Sequence, residues 1–345
     1  MLDDLKLIHE RDAEDALGIA EKQWQQLEYE FNMPDLNFGK ADVDNIVFAG
    51  MGGSALGALL SQTWPGHKIP FEICRNYDIP KYVSSETLFV ASSYSGNTEE
   101  TLEALGKAEA AKAKIVVIAS GGRLAEIAKA KNYPMAILPS VTQPRYATLY
   151  SFKAFVSWLV KLGFVDASEA SSAIKPTIDF LKEAVAGWRP DVATAQNYAK
   201  QLALDVVGKS VVVYAGPLMF PAAYKWKISF NENAKNVAWV NQYPEFNHNE
   251  FIGWTSHPLE KPYAVIDLRS NLEHPRIQKR FEVSERLLSG RRPAPIVVAV
   301  QGQTILEQLI WTVALGDFVT IYSALLNGLN PTPVDLIEKF KKELG

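Results

Sequence analysis

The stretch NIVFAGMGGSAL, residues 45–56, decides the fold class of this chain. Residues 46–49 are all apolar, which is typical of a strand buried on both faces of a parallel sheet. Small residues follow, so the backbone can turn sharply before a helical pattern begins. The stretch TLFVASSYSGNTEE, residues 87–100, repeats this order of strand, turn and helix start. Together they predict an α/β fold with a mainly parallel sheet flanked by helices.

Both turns are rich in groups that bind phosphate. The second turn places four hydroxyl groups within seven residues: Ser92, Ser93, Ser95 and Thr98. The N–H groups at a helix start lack partners within the helix, and the helix dipole favours negative charge there. Two such turns in one domain predict a single phosphate cradle, typical of a protein that binds a sugar phosphate.

Two other interpretations compete with a phosphate cradle. Either turn alone is explained by a well-capped helix, and Asn97 with Glu100 has the spacing of a capping box. The first turn, Gly50-x-Gly52-x-x-Ala55, also fits a dinucleotide-binding pattern, in which Glu72 would hold the ribose. However, Glu72 lies early in its strand, and the second turn has no role in that scheme. The sequence therefore favours the sugar-phosphate interpretation.

Composition narrows the class of protein. The chain has 345 residues, 48% hydrophobic and 21% charged, which predicts two globular domains. A net charge of -4 without a long basic run argues against a nucleic-acid partner. The single cysteine, Cys74, has apolar neighbours and is predicted to be buried rather than nucleophilic. We find no apolar signal core and no apolar run of about 18 residues, so we expect a cytoplasmic protein with no membrane partner.

Strand-like runs divide the chain into two domains of similar plan. Residues 1–160 are predicted to form an N-terminal domain, residues 161–200 a helical connector, and residues 201–345 a C-terminal domain with a helical tail. The predicted strands are 45–49, 87–91, 114–119, 135–138, 210–216, 263–268 and 295–300. We also predict that residues 291–295 form a solvated linker into the last strand.

The second half of the chain carries the ionisable groups. Residues 228–236 predict a helix with Glu232 and Asn236 on one face. The loop at residues 243–250 contains His248. A carboxylate and a histidine in one pocket could divide base chemistry at a carbon from acid–base chemistry at a ring oxygen. An exposed charged helix followed by an Asn-rich loop explains the same spacing, and spacing alone leaves both interpretations open.

The chain resembles the bifunctional phosphoglucose/phosphomannose isomerase family, whose members contain two sugar isomerase (SIS) domains. The resembling stretches are GMGGSA at 50–55, SYSGNTEET at 93–101, PRYA at 144–147, NENAK at 231–235, PEFNHNE at 244–250 and NPTPVD at 330–335. The resemblance implies two SIS-type, doubly wound α/β domains. It also implies interconversion of glucose 6-phosphate and mannose 6-phosphate with fructose 6-phosphate through a cis-enediolate.

The resemblance further implies roles for individual residues. The residues expected to bind the substrate phosphate are Gly52, Gly53, Ser54, Ser93, Ser95 and Thr98. Glu232 is expected to move the proton between C1 and C2, and Arg145 to stabilise the enediolate. His248 is expected to open the sugar ring from the partner subunit of a homodimer. Lys339 is expected to contact the substrate near the ring oxygen, and Thr332 to permit turnover of mannose 6-phosphate.

No cofactor or metal ion is expected. Isomerisation through an enediolate needs a base and a nearby cation but no redox cofactor. The five histidines are scattered and lack metal-ligand spacing, and His257 and His274 are predicted turn residues because each precedes a proline. A SIS protein that only senses sugar phosphates would have no reason to keep Glu232, His248 and Arg145 together. The sequence therefore favours a metal-independent isomerase over a sensor.

Overall fold

A computed structural model describes residues 1–255 and 262–344 of the chain. These residues form two compact units. The middle unit is Gln23–Asp179, and the terminal unit combines Met1–Lys22 with Phe180–Gly345. These bounds differ from the predicted domains 1–160 and 201–345 with a connector at 161–200, because the first 22 residues pack with the second half of the chain.

The two units contain nine described strands. In chain order they are β1 (Asn45–Ala49), β2 (Phe71–Cys74), β3 (Thr87–Ser93), β4 (Lys114–Ala119), β5 (Met135–Ile137), β6 (Ser210–Ala215), β7 (Ala238–Gln242), β8 (Tyr263–Arg269) and β9 (Ile296–Ala299). All seven predicted strands are present within two residues of their predicted ends. The other two strands, β2 and β7, have no predicted bounds, although β2 carries Glu72 and the apolar run at 237–240 covers three of the five residues of β7.

The described helices complete the inventory. They are α1 (Leu5–Arg11), α2 (Ala16–Glu21), α3 (Gln23–Glu28), α4 (Leu56–Ser61), α5 (Glu99–Ala110), α6 (Gly122–Lys131), α7 (Thr148–Lys161), α8 (Ala167–Ala186), α9 (Tyr198–Val206), α10 (Phe220–Glu232), α11 (Glu250–Gly253), α12 (Pro275–Leu287), α13 (Ile305–Leu326) and α14 (Asp335–Leu344). Short 3-10 helices lie at Lys40–Asp42, Gly52–Ala55, Pro144–Ala147, Thr194–Gln196 and Glu245–His248.

The middle unit has a five-stranded parallel sheet in the order β2-β1-β3-β4-β5. Phe48 and Val90 pack with Trp158 of α7 on one face, while Val47 packs with Leu105 of α5 on the other. Helices therefore cover both faces, which confirms the predicted doubly wound arrangement. Strand order reverses between β1 and β3, and in such sheets ligands bind outside the carboxyl ends of the strands at this switch point.

The terminal unit has a four-stranded parallel sheet in the order β7-β6-β8-β9. On one face, Tyr214 and Tyr243 pack with Phe281 of α12. Elsewhere in the unit, α10 packs closely against α13, and the indole N–H of Trp226 donates to the carbonyl oxygen of Thr312 at 2.7 Å. A Cβ at Gly316 of α13 would collide with this indole, so glycine permits the close approach of the two helices.

The first 22 residues are fixed within the terminal unit by polar contacts. Lys200 is fully buried, and its ammonium group donates to Asp3 at 3.2 Å. The same group donates to the carbonyl oxygens of Pro190 and Val192 at 2.8 and 2.7 Å. Arg11 donates to the carbonyl oxygen of Leu325 at the end of α13. These contacts explain why the N-terminal residues belong to this unit.

Helix α13 corrects the prediction that no apolar run is long enough to span a membrane. It is the one helix among residues 1–255 and 262–344 that meets that criterion by length and composition. However, 94% of its most apolar window is buried inside the protein. We therefore interpret α13 as a core helix of the terminal unit.

The prediction that residues 291–295 form a solvated linker is also wrong for one residue, Arg292. Arg292 is 7% exposed, and its guanidinium carbon lies 5.3 Å from the ring centroid of Tyr214 and 5.8 Å from that of Phe246. A cation is attracted to the negative face of an aromatic ring, and the effect is larger when water is excluded. Arg292 is therefore part of the core.

Candidate active site

The first glycine-rich turn leads directly from β1 into the helix at Gly52–Ala55. Gly52 has φ +48°, in the left-handed region that favours glycine. A Cβ at Gly53 would lie 2.8 Å from the backbone nitrogen of Arg145, so glycine allows that segment to pack against the turn. The Ser54 hydroxyl accepts a hydrogen bond from the N–H of Tyr94 at 2.9 Å. The structure thus brings the two predicted turns together at the switch point.

The hydroxyl groups of the second turn have different environments. Ser93 is fully buried, and its Oγ lies 2.8 Å from Thr98 Oγ1 and accepts the N–H of Gly96 at 3.1 Å. Ser95 is exposed, and its Oγ accepts the N–H of Asn97 at 3.3 Å. Ser93 therefore supports the turn internally, whereas Ser95 presents its hydroxyl to solvent.

The start of α5 does not contain the predicted capping box of Asn97 and Glu100. Its N-cap residue is Thr98, whose side chain makes no capping hydrogen bond. The Asn97 side chain instead accepts the N–H of Arg123 at 3.0 Å, from the turn that follows β4. A helix start without a side-chain cap favours an anionic ligand there.

Negative charge is also present in the first turn of α5. Glu99 accepts a hydrogen bond from the phenol of Tyr77. This bond is the largest cause that raises the pKa of Tyr77 to about 12. The Glu99 carboxylate is therefore already engaged by a neutral donor.

A third turn, which was not among the predicted features, supports the second. Gly121 and Gly122 follow β4, and Gly122 has φ +69°. A Cβ at Gly96 would collide with the carbonyl oxygen of Gly121, and the N–H of Leu124 donates to the carbonyl oxygen of Gly96 at 2.8 Å. The signal in the sequence is the Gly-Gly pair, which begins two residues after the end of a predicted strand.

Arg145 lies in the middle unit beside the first turn. It belongs to the short helix Pro144–Ala147 and is 1% exposed. Its guanidinium carbon lies 4.6 Å from the ring centroid of Tyr146. Arginine is seldom so completely buried, and here its backbone also packs against Gly53. Arg145, the residue predicted to stabilise the anion, is thus buried in contact with the first turn.

The alternative dinucleotide site receives no geometric support. Glu72 lies two residues before the end of β2, and its carboxylate accepts a hydrogen bond from Tyr82 at 2.8 Å. It is therefore not at the carboxyl edge of the sheet.

Cys74 is buried as predicted, and burial raises the pKa of its thiol.

In the terminal unit, Glu232 is half-buried and is the last residue of α10. The predicted helix over 228–236 therefore ends early, and Asn236 does not share a helical face with Glu232. The reason is local: Lys235 has φ +50°, and Asn231 donates to the carbonyl oxygen of Asn236 at 2.9 Å. This turn directs the chain toward β7.

Buried polar contacts hold α10 against α13. Lys225 and Asp317 form an ion pair with both side chains almost completely buried, and Ser229 donates to Asp317 at 3.0 Å. Immediately after α10, Asn233 donates to the hydroxyl of Thr320 at 2.9 Å. A buried charge needs such partners, so these contacts specify one arrangement of the helix that carries Glu232.

His248 lies at the exposed end of the short helix Glu245–His248. Two residues later, Glu250 accepts hydrogen bonds from the phenol of Tyr214 and from Asn241, the latter at 2.8 Å. Burial and the Glu250 carboxylate raise the pKa of Tyr214, so the phenol remains a donor. Arg280 donates to Asn247 at 3.1 Å. The imidazole therefore projects from a loop that is anchored on both sides.

The remaining predicted residues lie near the C-terminal end of the terminal unit. Thr332 is 4% exposed, and its N–H donates to Asn330 Oδ1 at 3.0 Å. Lys339 is exposed on α14, with its ammonium nitrogen 3.8 Å from the Glu343 carboxylate. The structure thus places Thr332 in the interior of the unit and Lys339 on its surface.

No group of three or more His, Cys, Asp or Glu side chains in the described part of the chain is arranged to hold a metal ion. His257 lies outside the described residues. His274 is the N-cap of α12, where its Nδ1 accepts the N–H of Arg276 at 3.1 Å.

Comparison with known proteins gives the family. A model of the bacterial phospho-glucose isomerase C-terminal SIS domain matches residues 195–344. A bifunctional phosphoglucose/phosphomannose isomerase of Caldicellulosiruptor bescii is 35% identical over 315 residues, covering 90% of this chain and 92% of that protein. The protein of the same description from Aquifex aeolicus is 30% identical over 334 residues, covering 96% and 98%.

A solved structure shares the fold. The hypothetical protein TT0462 from Thermus thermophilus aligns with a TM-score of 0.72 and 14% identity, covering 99% of this chain and 93% of that one. The parallel sheets, the paired turns and the matched domain define an isomerase of the SIS class. The chain belongs to the bifunctional phosphoglucose/phosphomannose isomerase family.

Proposed function

We propose that this protein interconverts glucose 6-phosphate and mannose 6-phosphate with fructose 6-phosphate by proton transfer through a cis-enediolate. The observation that carries the proposal is the pair of turns, one glycine-rich and one hydroxyl-rich, joined by the bond from Tyr94 to Ser54 at the switch point of the middle unit. Family membership supplies the reaction class, and the paired turns are suited to the phosphate group common to all three sugars.

The substrate phosphate binds at these turns. The proposed donors are the hydroxyl groups of Ser54, Ser93, Ser95 and Thr98, with the backbone N–H groups of Gly52 and Gly53. Hydrogen bonds to a charged acceptor are about twice as strong as neutral ones. The exposed hydroxyl of Ser95 and the uncapped start of α5 support this assignment.

Glu232 and Arg145 perform the isomerisation. Glu232 removes the proton from C2 of the open-chain aldose and delivers it to C1; O2 loses its hydroxyl proton and O1 gains one, so the carbonyl group moves from C1 to C2. The enediolate carries negative charge in between, and Arg145 stabilises it. A buried guanidinium suits this role because a cation stabilises developing charge most strongly where water is excluded.

His248, Lys339 and Thr332 complete the proposed site. His248 opens the sugar ring and is contributed by the partner subunit of a homodimer; its exposure on an anchored loop supports a role outside its own core. Lys339 contacts the substrate near the ring oxygen, and Thr332 permits turnover of mannose 6-phosphate. We place the enzyme in the cytoplasm because charged sugar phosphates do not cross a bilayer unaided.

The test is turnover of both aldose phosphates by protein treated with EDTA, with fructose 6-phosphate as the measured product. The reaction is also run in D2O, because an enediolate exchanges the transferred proton with solvent whereas a hydride shift does not. Activity on both sugars with deuterium in the product would support the proposal. Binding without turnover would favour a sensor, and metal-dependent turnover without deuterium would require a different mechanism.

A further inference from the structure

The ammonium group of Lys235 connects two distant parts of the terminal unit. It donates to the carbonyl oxygen of Asn233 at 3.2 Å, close to its own position in the chain. It also donates to the carbonyl oxygens of Asn330 and Pro331 at 2.7 and 3.0 Å. An ammonium group has three N–H donors, so it can donate to all three carbonyl oxygens.

A simpler role for Lys235 explains only part of this geometry. A lysine after a helix commonly binds the last carbonyl groups and complements the helix dipole. That role accounts for the bond to Asn233, but not for two bonds to residues 95 and 96 positions later. The left-handed backbone of Lys235 ends α10 and sets the side chain within reach of that later segment.

The later segment contains Thr332. Asn330 accepts from Lys235 with its carbonyl oxygen, accepts the N–H of Thr332 with its side-chain oxygen at 3.0 Å, and donates to Glu14 at 2.8 Å. Pro331 and Pro333 restrict the backbone on both sides of Thr332. The segment that carries this buried threonine is therefore bonded to Lys235 and, through the Asn330 side chain, to Glu14.

We propose that Lys235 is a positioning residue that sets substrate breadth by fixing Thr332 relative to Glu232. Glu232 precedes Lys235 by three residues, so one side chain ties the segment carrying the base to the segment carrying the threonine. This inference rests on the proposed function. The two aldose phosphates present opposite faces of C2, so turnover of both requires the enediolate to rotate in space beside Thr332. Displacement of Thr332 should therefore impair mannose 6-phosphate more than glucose 6-phosphate.

The test compares Lys235→Met with a matched control, Lys209→Met. Methionine keeps an unbranched chain but removes the charge and all donors. Lys209 is an exposed lysine of the same unit whose ammonium group donates to the carbonyl oxygen of Asp205, within its own turn. For Lys235→Met we expect kcat/KM to fall about tenfold or more with mannose 6-phosphate and by less than about threefold with glucose 6-phosphate. Lys209→Met should change neither.

The conservative variant Lys235→Arg should recover part of the mannose 6-phosphate activity, because a guanidinium can still donate to several carbonyl groups. Equal losses with both substrates, or an unchanged ratio, would overturn the proposal. If Lys235→Met does not fold, Lys235→Gln replaces it, because glutamine retains two donors on a shorter side chain. Equal losses with both substrates, or an unchanged ratio, in Lys235→Gln would likewise overturn the proposal.

Hydrogen exchange tests the structural tie without any turnover. The Thr332 amide is protected by its bond to Asn330, so it should exchange faster in Lys235→Met than in wild type or Lys209→Met. Unchanged exchange would show that Lys235 does not hold the segment. Wild-type protein that turns over neither aldose phosphate would instead refute the proposed function, so the two failures are distinguishable.

Discussion

Replacing Ser95 with alanine should weaken phosphate binding while leaving the folded state almost unchanged. The Ser95 side chain is exposed, and its one described hydrogen bond, from Asn97, is long at 3.3 Å. Loss of such a surface group changes the free energy of unfolding by about 0.5 kcal/mol or less. A lost hydrogen bond to a charged phosphate costs about 1.5–3 kcal/mol, which corresponds to a rise in KM of roughly 10- to 150-fold.

The matched variant is Thr98→Ala. The Thr98 hydroxyl lies 2.8 Å from that of fully buried Ser93, so its removal deprives Ser93 of a partner. Because Ser93 still accepts the N–H of Gly96, we expect a modest destabilisation of about 0.5–1.5 kcal/mol. Thr98→Ala should therefore lower both binding and stability, whereas Ser95→Ala should lower binding alone.

The assay measures the KM for glucose 6-phosphate, the inhibition constant of inorganic phosphate, and urea unfolding of each variant. Ser85→Ala is the control, because Ser85 is an exposed serine that precedes β3 at the opposite edge of the same sheet. Unchanged phosphate inhibition in Ser95→Ala would refute the phosphate assignment. Equal destabilisation by Ser95→Ala and Thr98→Ala would refute the distinction between an open and a supporting hydroxyl.

Four further outcomes are expected. Glu232→Gln should lower kcat by orders of magnitude with little change in substrate affinity, and a variant that keeps more than about a tenth of wild-type kcat would place the base elsewhere. Mixing inactive Glu232→Gln and His248→Ala proteins should restore partial activity once subunits exchange; no recovery would argue against a shared site. Thr332→Gln should suppress mannose 6-phosphate turnover more than glucose 6-phosphate turnover, and parallel loss in folded protein would contradict this. Burial lowers the pKa of His67 from 6.5 to about 4, so the unfolded chain binds the extra proton and stability should fall as pH drops through this range. His67→Gln should flatten that part of the urea-unfolding profile, and an unaltered slope would exclude His67 as its source.

The sequence by itself determined the elements and the residue types at their ends. Strands β1, β3 and β4 follow from the runs of apolar residues within them, because a strand buried on both faces is mostly apolar along its length. The glycine at position 52 indicates a sharp turn after β1, and its backbone there is left-handed, as glycine permits. These signals are local, since each depends on residues only a few positions apart.

Other features depended on contacts between residues far apart in the chain. The bond from Tyr94 to Ser54 spans 40 positions, and the bond from Lys235 to Asn330 spans 95. Arg292 has a loop-like sequence context, yet the rings of Tyr214 and Phe246 bury it in the core. Hydrophobic periodicity and turn chemistry carry no information on which distant groups will meet. The elements of the cradle were therefore readable from the sequence, whereas its closure, the early end of α10 and the support of Thr332 were decided only by tertiary packing.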